Sequence, residues 1–135
     1  MSGVHVRLRV GCETYALPIE NVLEVAELGE LAIVPGAGRG VLGVRNFHGQ
    51  VLPVFDLAFV LRIPREGRPP CLIVADEGGR LAGFAVDGVT NVAPLEGAPQ
   101  QTDIDYLAHA MLEDGALVGV LDVPQVFLAL GEGSA

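Results

Sequence analysis

Val4, Val6, Leu8 and Val10 alternate with His5, Arg7 and Arg9, the period-two pattern of a strand that buries one face. Tyr15, Leu17 and Ile19 repeat the alternation after a short GCET turn, which predicts a hairpin over residues 4 to 19. From Pro18 to Leu28 the pattern is mixed: Ile19, Val22, Leu23 and Ala26 share a helical face opposite Glu20, Glu24 and Glu27. Pro18 suits a first helical position, so one or two helical turns are expected to pass into a strand near Glu24. PGAGRG, at 35 to 40, is a loop, and VLGVRNF and QVLPVFDL pair across His48-Gly49 as a second hairpin. Asp56 caps a short helix, DLAFVLRI, that Pro64 ends.

The second half has the same plan. CLIVADE and RLAGFAVD flank Gly78-Gly79 as a hairpin, GVTNVAPL extends it, and EGAPQQTD is a loop. HAMLEDGALVGVLDV turns at Asp114-Gly115, and a short helix, PQVFLAL, follows Asp122. An offset of 67 lays IENVLEV at 19 to 25 on VDGVTNV at 86 to 92, placing Val22 on Val89 and Glu24 on Asn91. An offset of 66 lays HGQVLPVFDL from His48 on DGALVGVLDV from Asp114, placing Gly49 on Gly115 and Asp56 on Asp122. Two segments in the same order at nearly one offset indicate an internal duplication. Short strands at this spacing favour an all-β fold of two five-stranded barrels with short helices. The units are expected at about 4–61 and 71–130, joined by RIPREGRPP at 62–70, within one domain spanning 1–135. Each is too small to be secure alone, so the two should share a core.

Composition narrows the chemistry. There is no lysine, which removes P-loop, Schiff-base and lysine acid/base mechanisms, and the two serines, Ser2 and Ser134, lie in terminal stretches. Seventeen acids against eight arginines give a net charge of −9, the wrong sign for binding a phosphate backbone, so nucleic acid is not an expected partner. Half the residues are apolar, yet no run approaches the roughly 18 residues of a membrane span. MSGVHVRLRV lacks the features of a secretory signal, and Cys12 and Cys71 sit in no metal or CxxC spacing, which favours cytosolic free thiols. His5, His48 and His109 form no recognisable metal motif. GAGRG lacks the third glycine of a dinucleotide loop and precedes a strand. No catalytic residues, metal or cofactor are expected, and an acidic double barrel with apolar surface suits holding other proteins.

GVRNFHGQVLPVFDL, residues 43 to 57, resembles the characteristic stretch of the CheW family, the adaptors of bacterial chemosensory arrays, at Gly43, Asn46, Gly49, Pro53, Asp56 and Leu57. ETYALPIENVLEV from Glu13, IVPGAGRGVLG from Ile33 and GFAVDGVTNV from Gly83 are similar to the family's flanking segments, so the resemblance covers about residues 4 to 130. It implies two SH3-like barrels and no enzymatic activity. It also implies a cytoplasmic adaptor, recruited to membrane receptor arrays, that bridges the cytoplasmic tips of methyl-accepting chemoreceptors and the regulatory domain of a CheA-type histidine kinase. Carried over by position, receptor contact is expected around Val22 and Glu24, around Asn46 and its adjacent turn, and around Val86 and Val89 where the barrels meet in a groove. Little chain remains for a receiver or kinase segment.

One position departs from the family: His48 stands where the family usually has Arg, and Phe47 replaces Leu. Arginine is a permanent charge with a planar fork of donors, whereas histidine is shorter and titrates near neutrality. His48 is therefore either a residue that tunes partner choice or tolerated drift at a turn. The competing reading of the whole chain is a double barrel whose groove holds a small molecule, which requires convergent polar groups in a dry pocket.

Overall fold

The structure is a computed structural model that describes residues 3–38 and 40–130. Strand β1 (Val4–Val10) turns into β2 (Glu13–Pro18), and one 3-10 turn (Ile19–Asn21) leads to β3 (Val22–Glu27). Then come β4 (Val41–Phe47), β5 (Gln50–Asp56) and helix α1 (Leu57–Leu61). The second half runs β6 (Cys71–Glu77), β7 (Arg80–Val86), β8 (Gly88–Pro94), β9 (Ala98–Gln100), β10 (Leu107–Glu113), β11 (Ala116–Leu121) and helix α2 (Val123–Ala129). The fold is all-β with short helices, in two sheets: β3-β6-β7-β5-β4, and β8-β1-β2-β11-β10-β9.

The sheets do not follow the order of the chain. β1 and β2 lie beside β8 and β11, while β6 and β7 lie beside β3 and β5. The division at 62–70 therefore describes the sequence repeat but not the barrels, because each repeat lends its first hairpin to the sheet of the other. The exchange is reciprocal: β2 pairs parallel to β11 with Val120 opposite Ala16, and β7 pairs parallel to β5 with Val54 opposite Gly83. The chain crosses from one sheet to the other at Ile19–Asn21 and returns at Asp87, the single residue between β7 and β8.

Three local expectations change with this topology. GVTNVAPL does not extend the β6–β7 hairpin but pairs antiparallel with β1 as β8. EGAPQQTD contains β9, which pairs with β10 as a sixth strand. Strand β3 begins at Val22 after one turn, because Val22 to Glu27 find ladder partners on β6 that outweigh a marginal helical pattern. Helix α1 also stops before Pro64, at Arg62, whose backbone is left-handed at φ 62. The expected caps form: the Asp56 carboxylate accepts from Ala58 N–H at 3.1 Å, and that of Asp122 from Gln125 N–H at 3.2 Å.

Strand β6 shows how the core is built. Leu72 and Val74 point into the five-stranded sheet with Leu28, Leu52, Val54 and Ala85. Ile73 and Ala75 point the other way, into a larger cluster with Leu8, Leu17, Phe84, Val126 and Phe127 that both sheets share. A smaller cluster of Ala16, Leu95, Met111, Val118 and Val120 fills the six-stranded sheet. A strand buried on both faces reads as a continuous apolar run, as LIVA does.

Both sheets curl back on themselves. In one, Ala32 and Val44 exchange backbone hydrogen bonds of 2.8 and 2.9 Å, so the chain leaving β3 meets β4. In the other, β9 continues from β8 and meets β10, with Ala98 opposite Leu112. Gly97 makes that approach possible: its φ is +123, and a Cβ there would lie 2.1 Å from the Leu112 carbonyl oxygen. Gly97→Ala is expected to break the β9–β10 contact and cost about 2–3 kcal/mol by thermal denaturation. Gly36→Ala, at φ +78 with nothing within 4 Å, is expected to cost about 1 kcal/mol from backbone strain alone. Equal losses would show that the Leu112 contact is unimportant.

Candidate partner-binding surface

The β4–β5 turn is formed by His48 and Gly49 at φ 51 and 84, the paired left-handed conformations of a type I′ hairpin turn. Histidine is among the few side chains found readily in that region. Asn46 pins the turn by accepting from Gly49 N–H at 3.1 Å. The His48 ring lies 4.4 Å from Phe47, edge to face, and its Nε2 is 3.7 Å from Glu24 Oε1. These side chains are exposed, so the pair adds little stability. Curling of the sheet is what brings β3 and the β4–β5 turn together.

The structure thus joins three of the residues singled out from sequence, Glu24, Asn46 and His48. Val22 and its repeat equivalent Val89 instead pack, half-buried, against the shared core. Val86 is a correction: its side chain is wholly enclosed in that core and has no surface to offer a partner. Strand β7 is covered on both faces, which its apolar sequence hides by giving both faces the same character.

Residues the sequence did not single out extend the turn into a larger surface. In the β4–β5 register, Asn46 pairs with Val51 and Val44 with Pro53, and side chains two apart share a face. The intervening pair points inward: Leu52 is buried, and Arg45 reaches back to the carbonyls of Glu27 and Leu28 at 3.0 and 2.9 Å. Val51 is 74% exposed and Ile33, beside the Ala32–Val44 bridge, 75% exposed. The outward face runs on into a groove of about 750 Å³ floored by Val44, Pro53 and Phe55, with Phe59, Tyr106 and Leu130 around it. The loop at 34–38 and Gly40 walls one side. Among the described lining residues Arg62 alone is charged. Tyr106 and Leu130 belong to the six-stranded half and the rest of that set to the other, so no single repeat carries the groove. Val51 was legible as an apolar residue at an outward strand position; the groove was expected around Val86 and Val89, neither of which lines this one.

The family model for the CheW-like domain matches residues 5–130. The chain belongs to the CheW-like family. It is 31% identical over 110 residues to the chemotaxis protein CheW of Helicobacter pylori, covering 80% of this chain and 64% of that relative. It is 39% identical over 119 residues to protein FrzA of Myxococcus xanthus, covering 87% of this chain and 71% of FrzA. The crystal structure of the scaffolding protein TtCheW from Thermoanaerobacter tengcongensis superposes with a TM-score of 0.81 at 24% identity, covering 90% of each chain. That likeness shows the fold.

Most of the CheW-like residues at 43 to 57 have backbone and packing tasks in this chain. A Cβ on Gly43 would lie 2.6 Å from the Ala32 oxygen, so glycine is required where the sheet closes. Asn46 and Gly49 make the turn, Asp56 caps α1 and Leu57 is fully buried beneath it. Pro53 lies in the groove floor. The motif builds the surface more than it decorates it.

Proposed function

We infer that this chain is a non-enzymatic adaptor that couples the cytoplasmic tips of methyl-accepting chemoreceptors to the regulatory domain of a CheA-type histidine kinase. The observation that carries the reading is the CheW-like match across residues 5–130. The apolar surface that runs from exposed Val51 past Pro53 and Val44 into the groove supports it, since apolar patches of this kind mark sites of protein contact. Glu24, Asn46 and His48 form the polar rim of that face, which gives register and specificity in place of most of the affinity. Val22 and Val89 contribute by setting the shape of the core beneath. Among the described residues no helix is long and apolar enough to cross a membrane. The small-molecule reading loses ground because the described lining of the groove is mainly apolar and shows no convergent polar set.

A pull-down against the receptor hairpins and CheA-type kinases of its own cell tests this. The wild type is expected to retain both, and Val51→Asp to lose one partner with an unchanged circular dichroism spectrum, because position 51 is exposed. Retention of neither by the wild type would overturn the adaptor reading. His48→Arg restores the family residue and is expected to shift the preference among receptor tips. Unchanged affinity for every tip would mean that His48 does not tune partner choice.

A further inference from the structure

The segment at 62–70 joins α1 to β6, two elements of the five-stranded half, yet one of its side chains reaches across the junction. The Arg65 side chain is only 8% exposed, and its Nη2 donates to Asp56 Oδ2 at the end of β5. Its Nη1 donates to the carbonyl of Gly67. Its Nε is fully enclosed without a hydrogen-bond partner and faces Asp87 Oδ2 at 4.0 Å, a Coulombic contact. Asp87 is the crossing residue between β7 and β8, and its Oδ2 accepts from Gly11 N–H at 2.6 Å in the β1–β2 turn of the six-stranded sheet. Gly11 is packed so closely that a Cβ would lie 3.0 Å from both Ile63 Cγ2 and the Pro64 oxygen.

One guanidinium thus bridges a carboxylate of the five-stranded sheet and a carboxylate fastened to the other. Burying such an ion is costly and seldom a source of net stability; its best-attested use is to fix one arrangement among several. The shared core is held by apolar contacts, which are non-directional, and only the short crossings at 19–21 and 87 tie the sheets covalently. Asp56 also follows Phe55 in the groove floor, and its own N–H donates to the Gly40 oxygen in the groove wall at 2.8 Å. Arg80 of β7 makes a separate link to the Phe127 carbonyl of α2 at 3.1 Å, on a helix outside this network.

We propose that Arg65 is a positioning residue: through Asp56 and Asp87 it sets the angle between the two sheets and so the shape of the groove between them. Its bearing on receptor binding rests on the adaptor reading; the angle does not. The experiment is a pulsed electron-paramagnetic-resonance distance measurement on the full chain carrying Cys12→Ser and Cys71→Ala. Spin labels are attached at Gln50→Cys and Ala116→Cys, exposed repeat-equivalent positions on β5 and β11. With Arg65 present, one narrow distance distribution is expected. Arg65→Met should broaden or shift it, and Arg65→Lys should restore it incompletely, since an ammonium lacks the planar fork of donors. Asp122→Ala, which removes the α2 cap and lowers stability, should leave the distribution narrow. That control separates orientation from general weakening. Asp87→Asn keeps an oxygen for Gly11 N–H and removes the charge, and is expected to broaden the distribution if Arg65→Met fails to fold.

The same variants are titrated with the receptor hairpin retained by the wild type, and Arg65→Met should bind about fivefold more weakly or worse. An unchanged distance distribution in both Arg65→Met and Asp87→Asn overturns the proposal. A broadened distribution in a protein that never binds a receptor hairpin overturns the adaptor reading and leaves the positioning role standing.

Discussion

Phe84→Ala is expected to cost about 4 kcal/mol of folding free energy, the middle of the range for a phenylalanine emptied from a core. Phe84 lies at the centre of the shared cluster, with the Phe55 ring 6.5 Å away and the Phe127 ring 5.8 Å away at 89°. Phe55 and Phe84 belong to the five-stranded sheet, whereas Phe127 is on the helix that follows the six-stranded one. Removing the middle ring therefore leaves a void where the halves meet and forfeits two ring contacts, of which the one to Phe127 has the favoured edge-to-face geometry. For a chain of this length the thermal midpoint should fall by about 10–15 °C. Urea denaturation gives the free energy directly, and a loss below about 1.5 kcal/mol would show that the void collapses. Phe59→Ala, at the half-exposed groove rim, should cost less than half as much because less of its surface is buried.

The second large effect concerns an ion pair that replaces apolar residues. Arg7 donates to Glu113 at 3.0 Å from Nε and 2.5 Å from Nη2, and also to the carbonyls of Ala93 and Pro94 at 3.3 and 3.0 Å. The two side chains are 11% and 16% exposed. At the repeat offsets of 67 and 66, Arg7 corresponds to Val74 and Glu113 to Phe47, which pack in or against the apolar interior of the other sheet. Arg7→Ala strands a half-enclosed carboxylate and is expected to cost about 3 kcal/mol. Arg7→Val combined with Glu113→Phe copies the other repeat and is expected to recover most of that loss, because the cost lies in the orphaned charge. A double variant no more stable than Arg7→Ala would show that the six-stranded interior needs the pair.

The same pair has a signature in pH. The Arg7 hydrogen bond holds the Glu113 carboxyl below its usual range against the opposing effect of burial, with the Glu96 N–H at 2.8 Å assisting. A carboxyl with a lowered folded pKa contributes stability that is complete above its unfolded value of about 4.3. It is lost as the pH falls through the folded value. The stability advantage of the wild type over Arg7→Ala should thus narrow below about pH 4.3.

Local chemistry made much of this molecule legible. His48-Gly49 and Asp114-Gly115 marked turns because few residue pairs accept two left-handed backbones in succession. Asp56 and Asp122 marked helix starts because a short carboxylate can reach the open N–H groups of a first turn. Of the six residues proposed for partner contact, the three that sit on a turn or curled edge, Glu24, Asn46 and His48, gather as one group. Val86 failed because alternation reports that a side chain is apolar, while its burial depends on which sheet arrives to cover it.

The sequence by itself determined the duplication, most strands and turns of each repeat, and the membership of the chain in its family, all of which rest on interactions between residues close along the chain or on motif spacing. Only the tertiary structure decided which hairpin completes which sheet. The first hairpins of the two repeats are alike in length, and nothing local in either one specifies the sheet it joins; short crossings at 19–21 and 87 set them in opposite sheets. From that exchange follow the shared core, the bridging place of Arg65 and the groove between the halves. Each is made by residues distant in sequence whose contacts have no local pattern to reveal them.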